Sequence, residues 1–213
     1  VLEARPQLSI RVVDERRRDE ILAAAPAATA ILARTAPIDR AVISAARELK
    51  VVSRHGVGYD NVDVAALNER RIPLAIAANA NRVSVAEHAL TMLLVLAKDA
   101  VAHDHAVRTG NWLIRNEVRA FELMGRLLLL LGFGRIGREV AVRARAFGRR
   151  VDVFDPYVEE ESLAAVGASK AADLDAAIAA TDAVSLHLPL NDATRHVIDA
   201  RRLALMRPRA LLV

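Results

Sequence analysis

Short apolar runs alternate along the chain with segments in which apolar residues recur every three or four positions. The runs suit buried parallel strands and are too short for helices, whereas the intervening segments have the helical period. Strands that alternate with helices predict an α/β fold built on parallel sheets. The predicted strands are residues 8–13, 29–33, 51–53, 74–77, 127–131, 151–154, 183–188 and 210–213.

Polar residues mark the starts of several predicted helices. A carboxylate before the first helical turn can accept hydrogen bonds from the free backbone N–H groups there. The predicted caps of this kind are Asp39, Asp173 and Asp199, and Asp63 is predicted to begin a further helix that continues to about Arg70. Ser84 and Glu87 have the spacing of a capping box and predict a long helix that continues to about Val107. Its middle is apolar on all sides, so we expect both of its faces to be covered.

The order of elements predicts two α/β units, each with a doubly wound parallel sheet. We place the first unit in residues 1–96 and the second in residues 97–213. The chain begins with Val1 rather than methionine and stops in an apolar run at Val213. We therefore expect the fold to be incomplete at both ends.

The most specific motif lies in residues 127–155. An apolar run is followed by Gly132, Gly134 and Gly137 in the spacing G-x-G-x-x-G, then by a helical pattern, a second apolar run and Asp155. The first glycine allows a tight turn, the second lets the backbone approach a pyrophosphate, and the third allows close packing of helix on strand. Asp155 stands where a carboxylate accepts hydrogen bonds from a ribose 2′-hydroxyl, which favours NAD over NADP.

Composition narrows the functional classes. The 213 residues include no cysteine, so disulfides and cysteine-bound zinc are excluded, and no histidine spacing predicts another metal site. The formal net charge is +4, but the basic residues are scattered and aromatic residues make up 3% of the chain, which argues against nucleic acid. No apolar run is long enough to predict a membrane span or a secretory leader, so we expect a cytoplasmic protein.

Four motifs occur in a fixed order: VSRHGVGYDNVD at 52–63, SVAEH at 84–88, GFGRIG at 132–137 and HLPL at 187–190. In sequence and spacing they resemble the D-isomer-specific 2-hydroxyacid dehydrogenases, in particular the phosphoglycerate dehydrogenase-like branch. The resemblance extends over nearly the whole chain. It implies a flavodoxin-like substrate domain in residues 1–96, a Rossmann domain that binds NAD in residues 97–213, and a homodimer.

The resemblance also assigns site residues by position. The backbone N–H groups of Val57 and Gly58 would hold the substrate carboxylate, and Asn81 would line the site. Arg54 matches a phosphate-binding arginine, although it can equally pair with a local carboxylate, and His55 lies in the same loop as a further substrate contact. Cofactor contacts implied beside the three glycines are Val85, Arg135, Ile136, Asp155, Leu188, Pro189 and Thr194.

The implied reaction is hydride transfer between NAD and a small 2-hydroxy or 2-keto acid. In the family an arginine polarises the substrate, a histidine exchanges the proton and a glutamate orients that histidine. The matching positions fall after Val213, so we assign no catalytic residue within these 213 residues and expect the fragment itself to be inactive. The alternative function is a non-catalytic, NAD-binding scaffold or corepressor of the same fold.

Three further residues have open interpretations. We expect His88, on the long helix, to be a hydrogen-bonded core residue. His187 is expected to pack or to contact cofactor rather than to exchange protons. Trp112, the single tryptophan, is either a local packing anchor or part of a subunit interface.

Overall fold

The computed structural model describes residues 5–117 and 119–213. The chain divides into two compact units, Val1–Ala80 and Asn81–Val213. Each unit contains a parallel sheet flanked by helices. The predicted α/β class is therefore confirmed, whereas the domain roles of residues 1–96 and 97–213 stay a prediction.

The first unit contains a three-stranded parallel sheet. Its strands lie side by side in chain order: β1 (Ala30–Ala33), β2 (Val51–Arg54) and β3 (Leu74–Ile76). Its helices are α1 (Arg18–Ala24), α2 (Arg40–Ala45) and α3 (Val64–Glu69), and a 3-10 turn spans Ala25–Ala27. Apolar residues of α2, β2 and α3 form the core, because each of these elements buries one face against the others.

The predicted strand at residues 8–13 is wrong. Leu8, Ile10 and Val12 are exposed, and the segment forms no ladder with any strand in the described part of the chain. An alternation of apolar residues favours an extended backbone locally. A strand also needs the backbone of a neighbour, which the local pattern does not supply.

The second unit contains a five-stranded parallel sheet in the order β6-β5-β4-β7-β8. Its strands are β4 (Leu127–Leu131), β5 (Arg150–Phe154), β6 (Ser169–Lys170), β7 (Ala183–Leu186) and β8 (Leu211–Leu212). Its helices are α4 (Arg82–Ala97), α5 (Ala100–Arg108), α6 (Arg135–Ala146), α7 (Glu160–Ala164), α8 (Leu174–Ala180) and α9 (Ala200–Leu205), with a 3-10 helix at Trp112–Asn116.

The central strand β4 is buried along its whole length because both faces of the sheet are covered. Leu128 and Leu130 pack in the cluster that contains apolar residues of α4 and α6. Leu129 and Leu131 point to the other face and pack with Leu174 and Ile178 of α8. An uninterrupted leucine run is what a strand covered on both faces requires.

The predicted long helix is in fact two helices. It begins at Arg82, before Ser84, so the predicted capping box is wrong; Asn81 is the N-cap residue and its side chain makes no capping hydrogen bond. The helix ends at Ala97, and Asp99 adopts a left-handed conformation with φ of 49° before α5 begins. Aspartate tolerates that region better than most residues do, which allows a sharp break where the apolar pattern continues.

The outer strand β6 is two residues long, as is β8 at the other edge of the second sheet. It pairs with β5 only through Ser169 and Lys170, and the Lys170 ammonium donates a 2.8 Å hydrogen bond to the Val158 carbonyl. Within the described residues no helix has the length and apolar character needed to cross a membrane.

Candidate functional site

The strand order of the second unit reverses at β4. From β4 the chain moves outward to β5 and β6 on one side, then returns to β7 and β8 on the other. Such a reversal separates the loops at the carboxyl end of the central strand, and ligands of open α/β sheets bind in the crevice that results. Gly132 follows β4 directly, so the glycine motif begins at this crevice.

Two glycines of the motif are required by the fold itself. Gly132 has a φ of 93°, and a Cβ atom there would lie 2.8 Å from the carbonyl oxygen of His187. A Cβ atom on Gly137 would overlap the carbonyl oxygen of Gly132. Neither obstacle is a flexible side chain, because both are backbone atoms. These two positions therefore need glycine whether or not a ligand binds.

Gly134 is different from both. It is the exposed N-cap residue of α6, and, its chain neighbours aside, no atom of the described residues lies within 4 Å of a Cβ placed there. The first N–H groups of the twelve-residue helix α6 have no partner within the helix and lie at the positive end of its dipole. Open space above a glycine at a helix N-terminus is the arrangement in which backbone N–H groups can reach a phosphate.

Asp155 closes the other side of the motif. It lies at the end of β5 and is half-buried. One carboxylate oxygen accepts a 2.8 Å hydrogen bond from the Phe133 N–H, and the other accepts one of 2.9 Å from the Tyr157 N–H. Each oxygen keeps acceptor capacity beyond these bonds. Asp155 thus fixes the glycine turn and still offers a carboxylate to a ligand.

A cavity of about 200 Å³ opens beside this carboxylate. Its walls include Phe133, Gly134, Arg138 and Asp155, and the guanidinium of Arg138 stacks 4.7 Å from the Phe133 ring centre. Sequence reasoning did not select Arg138, or the other lining residues Tyr157, Val158, Glu159 and Ser162. Arg138 lies one helical turn after Gly134, so the period of α6 was a usable signal for it. The residues after Asp155 had no such signal.

A charge cluster fixes α6 against α4. The carboxylate of Glu139 accepts hydrogen bonds from Arg143 at 2.6 Å and from Arg82 at 3.0 Å. These two bonds, with the positive charges behind them, hold the pKa of Glu139 below its usual value. Because Glu139 is only partly exposed, the cluster helps to hold α6, and with it the loop at Gly134, in one orientation.

The segment after β7 lies across the turn from the glycines. The side chain of Leu188 touches the space above Gly132, and the His187 ring bonds the Ser185 hydroxyl at 2.9 Å. Burial lowers the pKa of His187 to about 4, so the ring is neutral at physiological pH. Pro189 is exposed, and its carbonyl accepts a hydrogen bond from the half-buried Thr194 hydroxyl.

The other predicted cofactor residues lie at the starts of α4 and α6. Arg135 is exposed and Ile136 half-buried in the first turn of α6. Val85 is half-buried in the first turn of α4, where its N–H donates to the carbonyl of Asn81. The structure thus places every predicted cofactor residue in the second unit, and their contacts with cofactor stay predictions.

The predicted substrate loop lies in the first unit, directly after β2. The half-buried Arg54 donates from Nη1 to the carbonyl of His55 at 2.6 Å, and its Nε atom is buried without a partner. Among the described residues no carboxylate pairs with Arg54, so the interpretation as a local ion pair is wrong. The N–H groups of Val57 and Gly58 donate no hydrogen bond within the described residues. Asn81 is the exposed first residue of the second unit.

The solvent exposure of His88 and of Trp112 contradicts the packing roles considered for them. His88 is exposed, because α4 buries the face that carries Ala86, Ala89 and Leu93. Trp112 is 66% exposed in the 3-10 helix and does not anchor local packing. In the part of the chain that the structure describes, no three histidine, aspartate or glutamate side chains are grouped as a metal site would need.

The second unit fits a dinucleotide on its own geometry. A strand-order reversal, a glycine with open space at a helix N-terminus and a carboxylate at the end of the next strand occur together. Residues that would hold NAD are Gly134 and the first turn of α6 for the pyrophosphate and Asp155 for the ribose. The same elements in another order along the sheet would not meet at one crevice.

Comparison with known proteins is consistent with a dinucleotide-binding unit. Residues 90–213 match the family described as "D-isomer specific 2-hydroxyacid dehydrogenase, NAD binding domain". The chain is 40% identical over 208 residues to a D-3-phosphoglycerate dehydrogenase of Mycobacterium tuberculosis strain H37Rv, spanning 97% of this chain and 39% of that protein. It is 37% identical to an (S)-sulfolactate dehydrogenase of Chromohalobacter salexigens, spanning 95% and 65% of the two chains.

Among solved structures, D-lactate dehydrogenase from Aquifex aeolicus, complexed with NAD and lactic acid, superposes with a TM-score of 0.88 at 28% identity. That match covers 99% of this chain and 63% of the other. The chain thus spans about two fifths of the phosphoglycerate dehydrogenase that it matches. The family match covers more than half of these 213 residues, so the chain belongs to the D-isomer-specific 2-hydroxyacid dehydrogenase family and carries its NAD-binding domain.

Proposed function

We propose that this chain is part of an NAD-dependent oxidoreductase that interconverts a D-2-hydroxy acid and its 2-keto acid. The observation that supports this most directly is the open N-terminus of α6 at Gly134 beside the carboxylate of Asp155. When bound, NAD supplies the group that accepts or donates the hydride. The protein's part is to bind the pyrophosphate and ribose and to hold a carboxylate substrate.

We assign residues 1–96 to the substrate domain and residues 97–213 to the cofactor domain. The loop after β2 offers the free N–H groups of Val57 and Gly58, which suit a carboxylate. His55 is exposed beside them, and Asn81 completes the proposed substrate set. Cofactor would contact Val85, Gly132, Gly134, Arg135, Ile136, Gly137, Asp155, Leu188, Pro189 and Thr194.

Asp155 provides the first test. Asp155→Asn keeps the shape and an oxygen that can accept from Phe133, but it removes the charge that repels a 2′-phosphate. We expect it to reduce the preference for NAD over NADP by about tenfold or more and to lower the thermal midpoint modestly, because the amide can accept only one of the two backbone N–H bonds. Asp155→Ala should reduce the preference similarly and lower the midpoint further, because both hydrogen bonds of the turn are lost. Calorimetric titration with both nucleotides checks this, and an unchanged preference in both variants would contradict the ribose role.

Arg54 suggests a finer description of the substrate. The named substrates of two relatives, D-3-phosphoglycerate and (S)-sulfolactate, carry a second anionic group beyond the 2-hydroxy acid. Arg54 is half-buried beside the proposed carboxylate site and has no carboxylate partner among the described residues. We propose that it binds such a second anion, because guanidinium pairs well with phosphate and sulfonate oxygens.

The substrate proposal is tested with the natural full-length protein. In Arg54→Gln, KM for a phosphorylated or sulfonated 2-hydroxy acid should rise about 100-fold, while KM for lactate or glycerate changes less than about threefold. Arg47→Gln, which removes an exposed charge from the same unit, is the matched control. Equal losses on both substrate classes would contradict the role of Arg54. NAD binding without turnover of any 2-keto acid would favour the alternative function, a non-catalytic scaffold or corepressor.

We further propose a cytoplasmic homodimer that associates through the second unit. Trp112, Leu113 and Met124 are 66%, 69% and 73% exposed, and large apolar residues of this kind are enriched at subunit interfaces. The absence of cysteine suits a reducing compartment but does not require one. Sedimentation equilibrium of the wild type and of Leu113→Glu tests the dimer: the variant should be monomeric at concentrations at which the wild type is paired.

A further inference from the structure

A pocket lined by arginines lies at the amino-terminal end of β4, whereas the glycine motif begins at its carboxyl end. It has a volume of about 110 Å³, and its walls include Phe121, Arg126, Asp182, Arg207 and Arg209. Arg126 immediately precedes β4, whereas Gly132 immediately follows it. The five residues of β4 separate the two places by roughly 16 Å at the usual rise of a strand. The pocket is therefore distinct from the crevice proposed for NAD.

Positive charge exceeds negative charge in the pocket. Asp182 is its one lining carboxylate, and it lies 3.6 Å from Arg126 and 3.5 Å from Arg207. Its other oxygen accepts the N–H of Leu127 at 2.8 Å. Among the described residues no carboxylate lies within 4 Å of the Arg209 guanidinium. One aspartate thus faces three guanidinium groups, and its own acceptor sites are largely satisfied by protein.

A fourth guanidinium adds to this charge from behind. Arg149 is 1% exposed, and its Nη2 atom donates to the Leu127 carbonyl at 2.9 Å. Its Nε and Nη1 atoms are buried without a partner. Burial lowers the pKa of Arg149 to about 10, so the group remains charged at neutral pH. A buried, partly unpaired cation next to Arg126 strengthens the field that an anion in the pocket would experience.

The backbone of Arg209 is held in an unfavourable conformation at the rim. Residues 207–210 form a tight turn in which the Ala210 N–H donates to the Arg207 carbonyl at 2.9 Å. Pro208 is second in this turn, and Arg209 is third with a φ of 70°. Glycine or asparagine normally occupies such a position, because a side chain there is strained. The Arg209 guanidinium donates a hydrogen bond to the Arg119 carbonyl and stacks 5.8 Å from the Phe121 ring centre, and these contacts hold it at the rim of the pocket.

We propose that this pocket binds a small tetrahedral oxyanion, either inorganic phosphate or the phosphate group of a small metabolite. Guanidinium groups recognise such oxygens with paired, charge-assisted hydrogen bonds. The pocket volume admits one such group. It is well below the 300 to 1,000 Å³ of typical ligand sites, so a whole nucleotide would not fit. The site is independent of the proposed NAD function.

The first experiment is calorimetric titration of the chain with inorganic phosphate at constant ionic strength. Because phosphate could also occupy the helix N-terminus at Gly134, the titration is repeated in Gly134→Val, which closes that position and leaves the arginine pocket intact. We expect binding in both proteins with a dissociation constant of about 1 mM or tighter. Loss of all binding in Gly134→Val would overturn the proposal, as would the absence of binding in both.

The second experiment uses variants of the pocket. Arg209→Gly removes both the guanidinium and the backbone strain, so phosphate affinity should fall about tenfold while the fold remains intact. Arg207→Gln should weaken binding similarly, whereas Arg47→Gln in the other unit changes the net charge equally and should leave the affinity unchanged. If all three variants weaken binding to the same degree, the effect is that of net charge and the site is refuted. A parallel titration with glycerol 3-phosphate distinguishes a metabolite phosphate from the free ion.

Discussion

The two glycine loops of this chain differ in what surrounds their glycines. In the loop after β4, Gly132 and Gly137 are enclosed by backbone atoms, and the loop leads at once into α6. In the loop after β2, Gly56 has a φ of 157°, which favours glycine, and an added Cβ there would overlap the flexible Arg54 side chain; a Cβ on Gly58 would lie 3.3 Å from an Asp60 oxygen. In the first loop, which we call the rigid loop, backbone atoms enclose two glycines. In the second, apart from the backbone conformation at Gly56, the atoms that crowd the glycines belong to side chains that can move.

This difference separates what the fold needs from what a ligand needs. Gly134 is the one glycine of the rigid loop with open space around its Cβ position. The fold therefore does not require glycine there, but a ligand that approaches the backbone would. In the loop after β2, the N–H groups of Val57 and Gly58 are free instead, and no glycine is compressed by backbone. A pyrophosphate site would thus be preformed, whereas the loop after β2 could adjust around a substrate of the kind proposed above.

The largest expected effect comes from Gly134→Val. The side chain would fill the space that a pyrophosphate needs, so NAD affinity should fall at least about 100-fold, while the thermal midpoint changes little. Gly137→Val is the matched comparison. Its side chain would overlap the Gly132 carbonyl, so we expect a loss of about 3 kcal/mol or more in unfolding free energy. Equal stability losses in the two variants, measured by urea unfolding, would remove the distinction between them.

An intermediate effect concerns pH and His187, which follows β7 and whose backbone carbonyl lies beside Gly132 of the rigid loop. The folded-state pKa of His187 is about 4, below its ordinary value of 6.5, because the ring is buried. The unfolded chain therefore binds this proton first as pH falls, so stability is complete above about pH 6.5 and decreases as pH falls towards 4. We expect at most about 3 kcal/mol of loss over that window, since the group is only partly buried.

His187→Gln is expected to abolish most of that pH dependence. Urea unfolding between pH 4.5 and 7.5 measures it, with His105→Gln, an exposed histidine of α5, as the control. A slope that is the same in wild type and His187→Gln would show that burial of this ring does not govern the loss of folding stability at acid pH.

The smallest effect is expected in the adjustable loop. Gly58 is exposed, its φ is not positive, and an added methyl group would meet only the movable Asp60 side chain. Gly58→Ala should change the unfolding free energy by less than about 0.5 kcal/mol. A loss as large as that of Gly137→Val would mean that this loop is as constrained as the other, and the contrast between them would fail.

Local signals in the sequence predicted the local parts of the structure well. The predicted caps Asp39, Asp173 and Asp199 are present, and Asp63 caps the helix that it was predicted to begin, because a carboxylate needs only the N–H groups two or three residues ahead. Asp155 and Gly132 also follow the predicted strands, and Gly134 and Gly137 lie at the start of the predicted helix. These features depend on residues close together in the chain, so their spacing carries the information.

Features that depend on distant residues were missed. The segment at residues 8–13 has the composition of a strand but no partner among the described residues. His88 follows an apolar pattern, yet its side of α4 is not the side that packs on α6. The pocket of Arg126, Arg207 and Arg209 joins segments about eighty residues apart, which no local period connects. The spacing of residues predicts the secondary structure of one segment, but not which distant segments it packs against.

The short outer strand β6 bears on how this protein behaves when concentrated. A long, flat edge strand offers unpaired backbone groups on which another chain can add a strand, which is a common route to aggregation. Here the edge is two residues long, and one of them is a lysine whose ammonium group is tied back to the Val158 carbonyl. That edge gives an incoming strand almost no template, so strand addition is disfavoured on this side of the sheet.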